Sequence, residues 1–171
     1  GLLEAHIEHP VIHYFHPVEV YKSLPRVLFL TLETCAVINS CLDCDEYAET
    51  CRHPEVRTLE ASARHVLGEL VASLGLGGRS GQQRGGESAF EESERWERRF
   101  KQTMQQLEAA GVRTRRESSG GWEDYRARRE EWESQLYRFA HYLGYDWDEV
   151  TGDRDLRYAA DEGMETPREK G

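Results

Sequence analysis

Four soft or borderline metal ligands fall within one short stretch of this chain. They are Cys41, Cys44, Cys51 and His53, in the pattern C-x2-C-x6-C-x-H. Zinc takes four such ligands in a tetrahedron, and this spacing can supply them. Two features argue against that use. Cys35 and Cys41 stand among apolar residues of a helical stretch, where free cysteine behaves as a small hydrophobe, and the second C-x2-C of a zinc ribbon is missing. The expectation is therefore free thiols, with a disulfide or a zinc site as alternatives. If a metal is held, Cys41, Cys44, Cys51 and His53 are its candidate ligands. A second group, His6, His9, His13 and His16, is spaced 3, 4 and 3. On an unbroken helix these imidazoles would share one face and suit zinc, copper or nickel. Pro10 interrupts that helix, so packing and capping roles are expected instead. His65 and His141 stand alone.

Paired carboxylates recur at Glu91-Glu92, Glu130-Glu131 and Asp146/Asp148. None lies in an apolar run that would raise a pKa far enough for general acid work. A di-metal bundle site needs Glu-x-x-His on paired helices, and Glu130-Glu131-Trp132-Glu133 lacks the histidine. There is no phosphate-binding glycine loop, dinucleotide fingerprint or nucleophile elbow. No catalytic residue and no cofactor is expected.

The elements that would position these residues read as helices. Proline lacks the amide donor and restricts its predecessor, so Pro10 and Pro17 mark boundaries in the lead-in. Ser23-Leu-Pro25 is a helix start, with Pro25 tolerated in the first turn. From there to about Cys44 runs a strongly apolar helix, and its apolar residues on more than one face predict a central position in a bundle. A second helix follows His53-Pro54. Val56, Leu59, Ala63, Val66, Leu70 and Leu74 supply its helical period, and Gly75 ends it. The linker Gly75 to Gly86 is glycine-rich and polar, so a mobile loop is expected there. A third helix carries Phe90, Trp96, Phe100, Met104 and Leu107 and stops at Gly111. In a fourth, Trp122, Tyr125, Arg129, Trp132, Leu136, Phe139 and Leu143 alternate spacings of three and four without exception, which is a packing seam. Arg129 is its one charged member, its stem suited to apolar surface and its head to water or a carboxylate. The segment Tyr145 to Val150 should fold back on the bundle. The fold class expected is all-α: about four main helices, up-down-up-down, over residues 1–153, with a disordered tail at 154–171.

The 171 residues suffice for one domain that needs no covalent staple. Thirty-two acidic against twenty-two basic residues give a formal charge of −10, and the mean hydropathy is −0.76. Such a surface repels a phosphate backbone and an anionic bilayer, so nucleic acid is excluded as a partner. No run of about 18–20 apolar residues and no signal-peptide pattern is evident, and Val27 to Leu30 reads as a core signal. The opening at Gly1 suggests a piece of a longer protein.

Four stretches carry a resemblance. They are His9-Pro-Val-Ile-His-Tyr-Phe-His-Pro17, Ser23-Leu-Pro-Arg-Val-Leu28, Arg57-Thr-Leu-Glu-Ala-Ser-Ala63 and His141-Tyr-Leu-Gly-Tyr-Asp-Trp-Asp-Glu-Val150. Together they resemble the cytoplasmic C-terminal region of bacterial two-transmembrane, pore-loop ion channels of the potassium-channel type. The resemblance covers about residues 1–153. It implies a non-catalytic regulatory or assembly domain on the cytoplasmic side of the inner membrane, coupled to its own pore region through Gly1 to Pro17, with homo-oligomerisation open and no bilayer insertion of the fragment itself. The selectivity-filter sequence of such channels is not in this chain. The alternatives are a helical protein-interaction adaptor, or a metal-binding protein using the cysteine and histidine clusters.

Overall fold

In a computed structural model, residues 23–77, 89–116 and 120–153 are described. The lead-in with His6, His9, His13 and His16, most of the Gly75–Gly86 linker and the 154–171 tail lie outside them. The described residues form four long helices and two short ones: α1 (Leu24–Cys41), α2 (Ala48–Cys51), α3 (Pro54–Ser73), α4 (Ala89–Ala109), α5 (Gly121–Tyr142) and α6 (Trp147–Thr151). The fold is an all-α bundle. Among the described residues the one β-type pairing is an isolated antiparallel bridge, Leu42 to Thr114.

Local chemistry sets the helix ends. The Ser23 hydroxyl accepts the Arg26 amide at 3.3 Å, and Pro25 sits in the first turn, as the Ser-Leu-Pro pattern predicts. The helix was expected to run to about Cys44, but it stops at Cys41. Leu42 turns extended to meet Thr114, and the loop after α4 takes over the pairing. Asp43 donates its amide to the Arg113 carbonyl at 3.2 Å, and Arg115 donates to Cys41 at 2.7 Å. His53 Nδ1 accepts the Glu55 amide and so caps α3. Asp146 accepts the amides of Asp148 and Glu149 and caps α6.

The tight entry to α5 needs glycine. Gly120 has φ +73, and a Cβ on Gly121 would stand 2.8 Å from the Ser40 carbonyl oxygen. The start of α5 therefore presses on the end of α1.

Helix α1 lies at the centre, touching all five other helices, as its apolar residues on several faces predicted. The pairings fix the directions. Phe29 meets Trp132, and Ser40 meets Gly121, so α1 and α5 are antiparallel. Cys35 near Val56 makes α1 and α3 antiparallel. Arg95 near Glu133 and Phe100 near Trp122 make α4 and α5 antiparallel. The larger core joins Leu28, Phe29 and Leu32 of α1 to Ala63, Leu67 and Val71 of α3, the Trp132–Ala140 stretch of α5, and Trp147 and Val150 of α6. A smaller one gathers Ala36, Trp96 and Tyr125.

The α5 seam is as the spacing predicts: Tyr125, Arg129, Trp132, Leu136 and Phe139 are all buried. The α3 face is not. Leu59 and Val66 are exposed, and the buried line is Ala63, Leu67 and Val71. Helix α1 also departs from the expectation about apolar length. With a mean hydropathy of 1.2 over eighteen residues it is long and apolar enough, by length and composition alone, to cross a membrane, although half of it is buried inside this bundle.

Candidate functional site

The seam brings a cation into the middle of the protein. Arg129 is fully buried between the two cores, and two carboxylates hold its guanidinium. Nη1 lies 2.5 Å from Glu33 Oε2 on α1, and Nη2 lies 2.5 Å from Glu133 Oε2, one turn further along α5. The Tyr125 hydroxyl donates to the other Glu33 oxygen at 2.5 Å. Four aromatic rings wall the cation: Trp132 at 5.0 Å, Phe29 at 5.3 Å, and Trp96 and Tyr125 at 5.8 Å. A cation over desolvated ring faces is attracted by their quadrupoles.

Burial by itself opposes the charge on Arg129. The Glu133 and Glu33 carboxylates outweigh it and hold the pKa well above its ordinary value. Burial raises the Tyr125 hydroxyl well above its usual range, and Glu33 adds to this, against a lowering by Arg129. The proton on Tyr125 and the charge on Arg129 are thus fixed at any physiological pH. A cluster locked in this way does not shuttle protons, which needs a pKa near the working pH. What it does is register α1 against α5.

A second set of arginines clamps α6 to that hub. Arg26 donates to the Val150 carbonyl at 2.7 Å, and its guanidinium lies against Gly152. Arg99 donates to the Thr151 carbonyl at 2.8 Å, pairs with Asp153 and stands 5.2 Å over Phe29. Two cations at the last carbonyls of a five-residue helix satisfy groups that would otherwise be orphaned and complement its dipole. Arg95 reaches Glu133 at 3.9 Å and Asp148 at 4.0 Å.

The sequence-predicted metal ligands do not converge. Cys44 and Cys51 are joined to each other as a disulfide, with their Cα atoms 5.7 Å apart, inside the usual range for such a bond. The expectation of free thiols fails for this pair and holds for Cys35 and Cys41. Cys41 is wholly buried at the end of α1, and burial, with the Glu33 charge adding, pushes its thiol up to about 12. Burial likewise raises Cys35, beside the Val56 carbonyl. A thiol so disfavoured as thiolate is a poor metal ligand or nucleophile. His53 has its Nδ1 engaged in capping α3. Among the described residues no three of His, Cys, Asp and Glu are placed to hold a metal ion.

Two of the surface depressions among the described residues border α5. One, of about 450 Å³ between α3 and α5, is lined by Glu60, Arg64, Arg128 and Glu131. These groups are consumed in pairs with each other: Arg128 to Glu60 at 2.9 Å, Arg64 to Glu60 at 2.8 Å, and Arg64 to Glu131. The other is a groove of about 770 Å³ along α4, whose lining mixes Phe100, Met104 and Trp122 with charged side chains of both signs, among them Glu97, Lys101 and Arg115.

Sequence reasoning found Arg129 in the seam, its head open to water or a carboxylate, but not its partners. Glu33 could have been found. It is the one acidic residue of α1, as Arg129 is the one charge of an apolar seam, and opposite charges inside a core are expected to pair.

No protein-family model matches the chain, and neither a curated protein nor a solved structure is similar to it. What the fold and the buried site define is a class: an all-α bundle keyed by an internal arginine.

Proposed function

We propose that this chain is the non-catalytic regulatory or assembly domain of a bacterial two-transmembrane pore-loop ion channel of the potassium-channel type. It would work on the cytoplasmic side of the membrane, joined to the pore through Gly1 to Pro17. The observation that carries the reading is where two of the family-like stretches meet. Ser23 to Leu28 is the capped start of α1, and His141 to Val150 is the corner from α5 into α6. Arg26 bonds the one to the other at the Val150 carbonyl. The central helix is thus clamped close to its first residue, Leu24. A force applied at Ser23 would be carried along α1 toward Glu33 and Arg129, which is what coupling to a pore helix requires.

The test is the reading frame upstream of Gly1. The reading expects two apolar spans of about 20 residues flanking a pore loop. A frame without them would leave the second reading, a helical adaptor. That alternative draws on the α4 groove, where Phe100, Met104 and Trp122 are only partly covered.

A further inference from the structure

The turn that follows α1 holds a remote segment in place, and one covalent bond closes that turn. Cys44 and Cys51 stand seven residues apart and are joined. Glu46 and Tyr47 lie inside the ring so formed, and Cys41 and Asp43 lie just before it. All four residues grip the segment after α4. Arg115 donates its amide to the Cys41 carbonyl at 2.7 Å, and Asp43 donates to the Arg113 carbonyl at 3.2 Å. The Tyr47 hydroxyl accepts the Arg113 amide at 3.2 Å, and Glu46 pairs with the Arg113 guanidinium at 3.2 Å. Thr114 and Arg115 in turn wall the α4 groove beside Trp122. The bridge therefore bears on how firmly that wall is held.

Four features separate this bond from a structural staple. A chain of this length folds without one. Neither Cys44 nor Cys51 belongs to the two hydrophobic clusters, so the cores can stay packed when the bond opens. Cys44 is half-buried and lines a depression of about 690 Å³ with Asn39, Asp43 and Arg115, whereas Cys51 is buried. A small reductant can thus reach one sulfur and not the other. Finally, both sulfurs stand beside carbonyl oxygens. Cys44 Sγ lies 3.6 Å from that of Leu42, and Cys51 Sγ 3.7 Å from that of Ile38. A disulfide sulfur has no proton to donate and a thiol has one, so the reduced pair finds acceptors already in place. The other two cysteines do not compete. Burial keeps Cys35 and Cys41 protonated, and the thiolate is what attacks a disulfide.

We propose that Cys44–Cys51 is a reversible thiol–disulfide switch, worked by a small dithiol, that tightens or releases the hold of residues 41–47 on residues 113–115. In the releasing direction a thiolate of the dithiol attacks Cys44 Sγ. The Cys44–Cys51 bond breaks, and its electron pair leaves on Cys51 Sγ, which takes up a proton. The second thiolate of the dithiol then attacks the reductant's own sulfur in the mixed disulfide. Cys44 leaves as a thiolate and is protonated. The protein has gained two electrons and two protons, and the dithiol has become a disulfide. A small disulfide runs the same exchanges backwards and closes the bond. The switch does not rest on the channel reading: a parent frame without pore segments would remove that reading and leave this one standing.

The experiment is amide hydrogen exchange by NMR on the full chain at neutral pH without denaturant. The chain is measured as oxidised, after dithiothreitol, and after return to oxidised glutathione, beside the double variant Cys44→Ser/Cys51→Ser. Dithiothreitol should free two thiols that map to Cys44 and Cys51, with helix content by circular dichroism kept. In the reduced chain the protection of the Asp43 and Arg115 amides should fall at least about tenfold more than that of Trp132 and Leu136, since a local opening differs from a global loss of stability. Oxidised glutathione should restore it. The double variant should match the reduced chain under both reagents. A bond that resists dithiothreitol until denaturant is added overturns the proposal, and so does a reduced chain that loses its helices. Equal loss of protection at the two pairs of amides would make the bridge a plain staple, and re-pairing with Cys35 or Cys41 would remove the switch altogether.

Discussion

Helices α1 and α5 lie against each other along most of their lengths, yet they end differently on the outside. The outward side of α5 carries Glu123, Asp124, Arg126, Glu130 and Glu131. That of α1 carries Leu24, Val27, Leu30 and Thr34. Helix α5 is amphipathic in the usual sense, with an apolar seam inward and charge outward. Helix α1 is apolar on both sides. Its inner side is accounted for by the Arg129 hub and the aromatic core. Among the described residues its outer side leaves Leu24, Val27 and Leu30 about half exposed. The lesson is that burial inside one copy and apolarity in the sequence are separate signals, and α1 separates them.

The strongest way to break the inner half of this comparison is Arg129→Ala. It strands Glu33 without its counter-charge and leaves Glu133 the longer contact to Arg95 at 3.9 Å, and the expected loss is about 3–5 kcal/mol, read by urea unfolding. A substitution that costs under about 1 kcal/mol would show that the hub is not what holds α1 to α5.

Next in size is the Cys44–Cys51 bridge. It closes a short loop at the far end of α1, and in the chain-entropy account such a loop is worth about 2–3 kcal/mol. Thiol titration of the unfolded, unreduced chain should count two free cysteines and not four. Reduction should then lower stability by about that amount while the α5 seam stays formed. Four free thiols in material kept under oxidising conditions would remove the bridge from the account.

The smallest expected effect concerns Cys41, the last residue of the same helix. Its folded pKa is raised to about 12 from 9.0. The unfolded chain therefore gives up this proton first as pH rises. The contribution of Cys41 to stability is full below pH 9 and is lost progressively as pH climbs toward 12. Stability against urea should fall across that window, and the fall should be shallower in Cys41→Ala. Equal slopes in the two proteins would mean that the thiol is not buried as described.

Much of the fold is legible in the sequence, for physical reasons that differ by element. The α5 seam repeats without exception and contains a single charge, so only one face can go inward. The start of α1 is written in Ser23-Leu-Pro25. Helix α3 is ambiguous because Leu59, Ala63, Val66, Leu67, Leu70, Val71 and Leu74 allow several stripes at helical spacing. The pairing of Glu60 and Arg64 with α5 decides among them, and that is a tertiary fact. The end of α1 was read three residues too late because the stop comes from Thr114, over seventy residues downstream in sequence. That shift also explains the cysteines. With the helix closed at Cys41, Cys41 turns inward, while Cys44 leaves the helix and meets Cys51. The pattern C-x2-C-x6-C-x-H contains no information about which of its members lie on which side of a helix end.

The measurement that bears most directly on the division between the two faces is urea unfolding of Leu136→Ala beside Val27→Glu. Leu136 lies in the seam, and its truncation should cost about 2–5 kcal/mol. Val27→Glu should leave stability within about 0.5 kcal/mol of the parent chain. The account is contradicted if Val27→Glu unfolds the chain, or if Leu136→Ala costs no more than Val27→Glu.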